Sequence, residues 1–178
     1  MKTMVNDLLG YTRTQLGNGL PVTLASTNLR EVCQGAVDDA SASYPTTEFI
    51  VEAKHEITGQ FDGVRLHQLL TNILVNAAQY GDAGRPVRLI TAEHEGTLAI
   101  DVINHGPVIP EAEWQAIFKP LVQLAESEDS DARPRTSLGL GLFVAKEIAA
   151  SHGGTITVTS NADAGTIFKI RMPLSTAG

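Results

Sequence analysis

The chain has 178 residues, 43% of them apolar, with 20 acidic and 13 basic side chains and a net charge of −7. That length can bury about two-thirds of the unfolded surface around one core, and the acidic balance excludes non-specific binding to nucleic acid or anionic lipid, which needs clustered Lys and Arg. A single cysteine, Cys33, excludes a disulfide framework and a four-thiolate zinc site and fits a reducing, cytoplasmic setting. No apolar run nears the roughly 20 residues of a membrane span, and the first residues lack the apolar stretch and cleavage site of a signal peptide.

In chain order, Met4, Leu8, Leu9, Tyr11 and Leu16 recur at helical intervals until Gly17-Asn18-Gly19 stops the pattern. So short a helix is marginal alone and needs a surface to dock on. Residues 20–25 read as a strand. Asn28 with Glu31 three residues later forms a capping-box pattern, opening a helix whose apolar face is Leu29, Val32, Cys33, Ala36, Val37 and Ala40. Residues 49–51 and 57–61 read as a strand pair. A long helix over 62–80 follows and is broken by Gly81-Asp82-Ala83-Gly84. Two strands, 87–92 and 98–103, are joined by a turn at 94–97. A short helix is predicted over 111–118, and a polar loop without periodicity over 122–136. A helix over about 142–152 ends at Gly153-Gly154, and two closing strands cover 155–160 and 166–172. The sum is an α/β two-layer sandwich, a mixed β-sheet packed on three helices.

The helix over 62–80 carries the strongest local signal. Leu66, Leu69, Leu70, Ile73 and Ala77 form its core face. Gln68, Asn72, Asn76 and Gln79 form a second stripe at spacings of four, four and three, which puts them on one face. Four amides bring many donors and acceptors without charge. They line either a solvated face, where Glu and Lys are usual, or the wall of a polar site. Ser137-Leu138-Gly139-Leu140-Gly141-Leu142 precedes a helix, and glycines there let backbone N–H groups approach an anion. The run follows a loop rather than a strand, which excludes a dinucleotide fingerprint, and there is no GxxxxGK[ST] P-loop. Asn104-His105-Gly106-Pro107-Val108-Ile109-Pro110 reads locally as a turn at a strand end, and Gly165-Thr166 as a hairpin.

Together these segments carry more. LLTNILVNAAQYG, DVINHGPVIP, IFKPL, SLGLGLFVAKEIAASHGG and AGTIFKIRMPL resemble, in order and spacing, the N, G1, F, G2 and final boxes of sensor histidine kinases. The ATP-binding domain of those kinases belongs to the Bergerat-fold family shared with gyrase and Hsp90-type chaperones. The resemblance runs from about residue 20 to 174 and is strongest to the kinase modules of bacteriophytochrome-like proteins. It implies an ATP-binding catalytic domain over 20–178, with an ATP lid at about 122–136. Residues 1–19 resemble the tail of the dimerisation helix and its linker. The cofactors implied are ATP and Mg²⁺, with Asn76 as the metal ligand. The ATP-binding positions implied are Asn72, Asn76, Gln79, Tyr80, Asn104, Gly106, Ile109, Phe118, Gly139, Leu140, Gly141, Leu142 and Thr166. Within that set Asn104 accepts from the adenine amino group, Gly106 lets the base approach the backbone and Ile109 packs on the ring. Phe118 anchors the lid, Gly139 and Gly141 form the hinge that brings N–H groups to the phosphates, and Thr166 lies at the adenine end.

Several positions depart from the family pattern. Asn104 stands where an Asp is usual, turning a charge-assisted bond into a neutral one at a cost of about 1 kcal/mol. Gln79 replaces a Lys or Arg, and Val108 and Ser137 replace glycines. Lys119, Arg133, Arg135 and Lys146 can compensate near the phosphates or stand as solvated surface charges. Asn72 occupies the position of the Glu that serves as base in ATP-hydrolysing relatives, and an amide cannot take a proton, so hydrolysis should be slow. The resemblance therefore implies a protein histidine kinase with no catalytic residue in this chain, the γ-phosphoryl passing to a histidine elsewhere. His55-Glu56 is the only His-Glu pair and falls in a strand-like segment. His67, His94, His105 and His152 read as structural or exposed. Implied partners are the dimerisation and phosphoacceptor domain of the same kinase, a response regulator and a second copy in a homodimer. Two alternatives use the same fold: a docking or nucleotide-sensing module without phosphotransfer, and an anti-sigma-factor-type serine kinase.

Overall fold

A computed structural model of the chain describes residues 20–120 and 140–174. The predicted helix at the start, the loop over 122–136, Gly139, Arg133 and Arg135 lie outside the described residues. Within them the fold is the expected α/β sandwich. Strands β2 (Phe49–Ala53), β4 (Val87–His94), β5 (Thr97–Asn104), β6 (Thr155–Asn161) and β7 (Gly165–Pro173) form a sheet in the order β2-β4-β5-β7-β6. Only β2 and β4 run parallel; the other neighbours are antiparallel. Helices α1 (Leu29–Ser43), α2 (Gly63–Tyr80) and α3 (Gly141–Ser151) form the second layer. The central helix, α2, touches α1, α3, β4 and β5.

Strand alternation explains why one sheet face is the core. Along β5, Leu98, Ile100, Val102 and Asn104 are buried, while the intervening residues are half-buried. Their neighbours on β7, Phe168, Ile170 and Met172, are at most 1% exposed. The period of two therefore runs to the strand's last residue, which is polar and still inward. Glu95 and Gly96 close the β4–β5 hairpin with φ of 50° and 75°, the paired left-handed conformation that matches strand twist. The helices start where the sequence places them. Asn28 Oδ1 accepts from Arg30 N at 2.9 Å, and Asp62 Oδ1 accepts from Arg65 N at 3.1 Å, each satisfying a first-turn donor.

Three expectations need correction. Residues 20–24 form no strand; β1 is Ala25–Asn28 and runs straight into α1. Leu20 is buried without a ladder, so an apolar run there reports packing rather than pairing. Second, β2 and β3 (Thr58–Phe61) do not pair with each other. β3 pairs with β1, and β2 with β4. A parallel partner requires a crossover, and α2 supplies it between β2 and β4. Third, 111–118 is not one helix but two 3₁₀ turns, Glu111–Glu113 and Ala116–Phe118. The tighter winding sends Ile117 and Phe118 into the core, where Phe118 meets Phe168 edge-on with centroids 6.3 Å apart.

Candidate functional site

Buried polar side chains gather at one end of the sheet. Asn104 is 5% exposed, Ser160 8% and Thr166 3%. Register makes this a row: Asn104 faces Thr166 across β5 and β7, and Ser160 faces Thr166 across β6 and β7. Buried polar atoms need partners, and Ser160 and Thr166 have them in series. Ser160 Oγ lies 2.8 Å from Thr166 Oγ1 and accepts from Ile109 N at 2.9 Å. The Ile109 carbonyl in turn accepts from the Trp114 indole at 2.9 Å. Both backbone polar groups of Ile109 are thereby fixed, with the side chain half-buried against the core.

The loop after β5 is pressed against the end of α2. Asp82 N donates to His105 O at 2.6 Å. A Cβ on Gly106 would lie 2.3 Å from the Tyr80 carbonyl, and one on Gly165 would lie 2.5 Å from the Asn104 carbonyl. Gly165 also has φ of 81°. Glycine at 106 is therefore demanded by the Tyr80 backbone, a steric role beside the approach to a base that the resemblance implies.

The amide stripe of α2 is divided in its duties. Gln68 Oε1 accepts from Arg65 Nη1 at 3.1 Å. Asn72, 8% exposed, donates through Nδ2 to Gly141 O at 3.1 Å, which fixes the start of α3 against α2. Asn76, Gln79 and Tyr80 continue toward the helix end that meets Asn104 and His105, Asn76 and Gln79 half-buried and Tyr80 37% exposed. Helix α3 begins at Gly141 after a buried Leu140 and has no side-chain cap. Its first N–H groups are the orphan donors that suit an anion. Leu142 packs half-buried on the core. Lys119 and Lys146 are exposed.

The structure thus brings Asn104, Gly106, Ile109 and Thr166 together with the end of α2 at one end, and Asn72, Leu140 and Gly141 together at the other. Gly139 lies outside the described residues. Ser160 and Trp114 are the residues that sequence reasoning missed. Ser160 had a signal, since it continues the inward phase of Ile156 and Val158 with a hydroxyl. Trp114 is the only tryptophan, and its partner could not be guessed.

His67 and His152 have structural duties, and His55 and His94 stand in solvent. His67 pairs with Asp39 at 2.6 Å, and His55 and His94 are exposed. His152 is 4% exposed. Its Nε2 accepts from Asp62 N at 3.0 Å, and its Nδ1 lies 2.8 Å from Ile148 O. A backbone N–H can only donate, so Nδ1 carries the proton, and the ring joins the end of α3 to the start of α2. Burial pushes the Cys33 thiol up to about 12, which leaves it protonated and inert at neutral pH. Among the described residues no group of three or more His, Cys, Asp or Glu could hold a metal, and no helix is long and apolar enough to cross a membrane.

Over residues 61–176 the chain matches the family described as histidine kinase-, DNA gyrase B-, and HSP90-like ATPase. It is 31% identical over 178 residues to the bacteriophytochrome of Pseudomonas aeruginosa, covering 99% of this chain and 24% of that protein. It is 31% identical over 172 residues to the probable sensor histidine kinase TcrY of Mycobacterium tuberculosis, covering 96% of this chain and 35% of that one. The chain therefore spans 24% to 35% of the length of these two relatives. Among solved structures, full-length ShkA in complex with AMPPNP superposes with a TM-score of 0.79 at 25% identity, covering 99% of this chain and 36% of that one. The mycobacterial sensor histidine kinase MprB superposes with a TM-score of 0.73 at 22% identity, covering 85% of this chain and 97% of that one, and shows the same fold. The chain belongs to the histidine kinase-, DNA gyrase B- and HSP90-like ATPase family, as an ATP-binding catalytic domain of the sensor histidine kinase kind.

Proposed function

We propose that this domain binds Mg²⁺-ATP and presents the γ-phosphoryl group to a histidine outside these residues. One observation carries the reading: the amide face of α2 spans from the uncapped start of α3, at Asn72 and Gly141, to the closed polar row at Asn104, Ser160 and Thr166. Asn104 and Thr166 hydrogen-bond the adenine, and Ile109 packs on its ring. Gly141 and Leu142 donate their N–H groups to the phosphates. Gln79 and Tyr80, at the end of α2, border the sugar-phosphate portion. Gly139 completes the hinge of a lid over about 122–136, which Phe118 anchors at its start.

The donor set suits Mg²⁺. That ion prefers hard oxygens, keeps several waters, and is usually held by phosphates with few protein ligands. The Asn76 amide oxygen is such a ligand, and the absence of a carboxylate or histidine cluster among the described residues fits a metal that arrives with its nucleotide. Bound there, the ion neutralises charge on the phosphates.

Catalysis by this domain is positioning and charge neutralisation. The Asn72 amide is committed to Gly141 O and cannot accept a proton from water, so hydrolysis stays slow and the phosphoryl waits for a better nucleophile. The partners proposed are a dimerisation and phosphoacceptor domain, with residues 1–19 the tail of its helix, a second copy in the homodimer, and a response regulator.

The test mixes the chain with γ-labelled ATP and the histidine-bearing dimerisation domain of a related sensor kinase. Acid-labile, base-stable label on that histidine is the expected result. Label on serine would instead mark an anti-sigma-factor-type kinase, and binding without transfer would mark a nucleotide-sensing or docking module.

A further inference from the structure

We infer that this site does not hold adenine apart from a 6-oxopurine, so that inosine nucleotides bind it nearly as well as adenine nucleotides. The inference rests on the proposed nucleotide site and concerns the two side chains that meet the base. Adenine presents a donor at its 6-position and an acceptor at N1. Hypoxanthine presents the inverse, an acceptor at the 6-position and a donor at N1. A site tells them apart only if its own groups have fixed polarity. A buried group of fixed polarity rejects the inverted partner strongly, because both are then left unpaired.

Neither group here is fixed. Asn104 ends β5 on the buried face, 5% exposed, and its amide offers a carbonyl oxygen and an NH₂ that exchange places on a half-turn of the side chain. Thr166 lies directly opposite in the register. Its hydroxyl is 2.8 Å from Ser160 Oγ, and either oxygen can donate. Ser160 Oγ already accepts from Ile109 N. When Ser160 donates to Thr166, the threonine keeps a free O–H and a lone pair for a ligand. When Thr166 donates instead, it still offers lone pairs. Among the described residues no charged side chain is bonded to either Asn104 or Thr166, so no charged partner selects one arrangement. The backbone around them is close-packed, with Gly165 and Gly81 against Asn104. The base plane is therefore defined by the fold while its hydrogen-bond polarity is left open.

The experiment is a calorimetric titration of the whole chain, in Mg²⁺, with ADP and separately with inosine diphosphate. The expected dissociation constants agree within about tenfold. A preference for ADP beyond about a hundredfold overturns the inference, since it requires a fixed donor or acceptor. Binding of neither nucleotide overturns the nucleotide site itself and this inference with it. N104D, folded by circular dichroism, replaces the amide by an acceptor-only carboxylate and should widen the preference for ADP at least tenfold. An unchanged ratio removes Asn104 from the reading. Should that variant not fold, Thr166→Val, which keeps the shape and removes the hydroxyl, decides instead: it should weaken both nucleotides by a similar factor, and loss of only one contradicts the inference.

Discussion

The two ends of the site are built in opposite ways. At the end proposed for the base, both backbone polar groups of Ile109 are spoken for, by Ser160 and by Trp114. Glycines 106 and 165 sit where a Cβ would strike backbone oxygen at 2.3 and 2.5 Å. At the end proposed for the phosphates, α3 starts without a side-chain cap, held to α2 by the Asn72–Gly141 bond. One end is closed by the protein's own hydrogen bonds; the other keeps donors unspent. The contrast suits the nucleotide proposed for the site. A base must be received in one plane, whereas phosphates are recognised by spare N–H groups and by charge.

The first way to break the comparison is to remove the group between the ends. Asn76→Ala should lower affinity for Mg²⁺-ATP at least about a hundredfold while the domain stays folded, because alanine suits a helix interior. A folded variant of unchanged affinity would end the metal assignment. Gly106→Ala attacks the closed end, and driving a methyl toward the Tyr80 carbonyl should cost about 2–3 kcal/mol of stability, read in a denaturant melt. If the melt is unchanged, the packing there is looser than described. Ser160→Ala should cost about 1–2 kcal/mol by leaving Ile109 N without its acceptor, with a change in Trp114 fluorescence as the loop shifts. Asn72→Ala affects only the open end and should cost about 1 kcal/mol; a larger loss would show that the α3 start depends on that bond more than a neutral hydrogen bond allows.

The smallest effect is expected far from both ends. Cys33 lies on the buried face of α1, its thiol raised from 9.0 to about 12. A folded-state value above the unfolded one means that the stability gained from the neutral thiol is complete below pH 9 and is lost as pH climbs from 9 toward 12. A thiol reagent at pH 8 should therefore label Cys33 only after unfolding. Rapid labelling of the native chain would contradict that burial.

What was legible in the sequence had a period. The spacing of Gln68, Asn72, Asn76 and Gln79 announced a shared face, because the helical repeat converts spacing directly into direction. The alternation in 98–103 announced β5 for the same reason. What had no period stayed hidden. Asn104, Ser160 and Thr166 come from three strands, and only register sets them side by side. Locally Asn104 read as a turn and Thr166 as part of a hairpin, and their union had to come from the resemblance of the whole set of boxes. The pairing of β2 with β4 was likewise illegible, because it depends on how α2 crosses between them rather than on either strand's residues. The predicted helix over 111–118 failed for a related reason: helical composition was present, but two 3₁₀ turns place Ile117 and Phe118 in the core.

The central proposal is that the amide face of α2 lies between a base pocket and a phosphate site, where Asn76 would hold the Mg²⁺ that accompanies the nucleotide. It is tested most directly by calorimetric titration of the chain with a non-hydrolysable ATP analogue, in the presence and absence of Mg²⁺. The account predicts binding that strengthens markedly when Mg²⁺ is present. No binding at millimolar analogue, or binding indifferent to the metal, would contradict it.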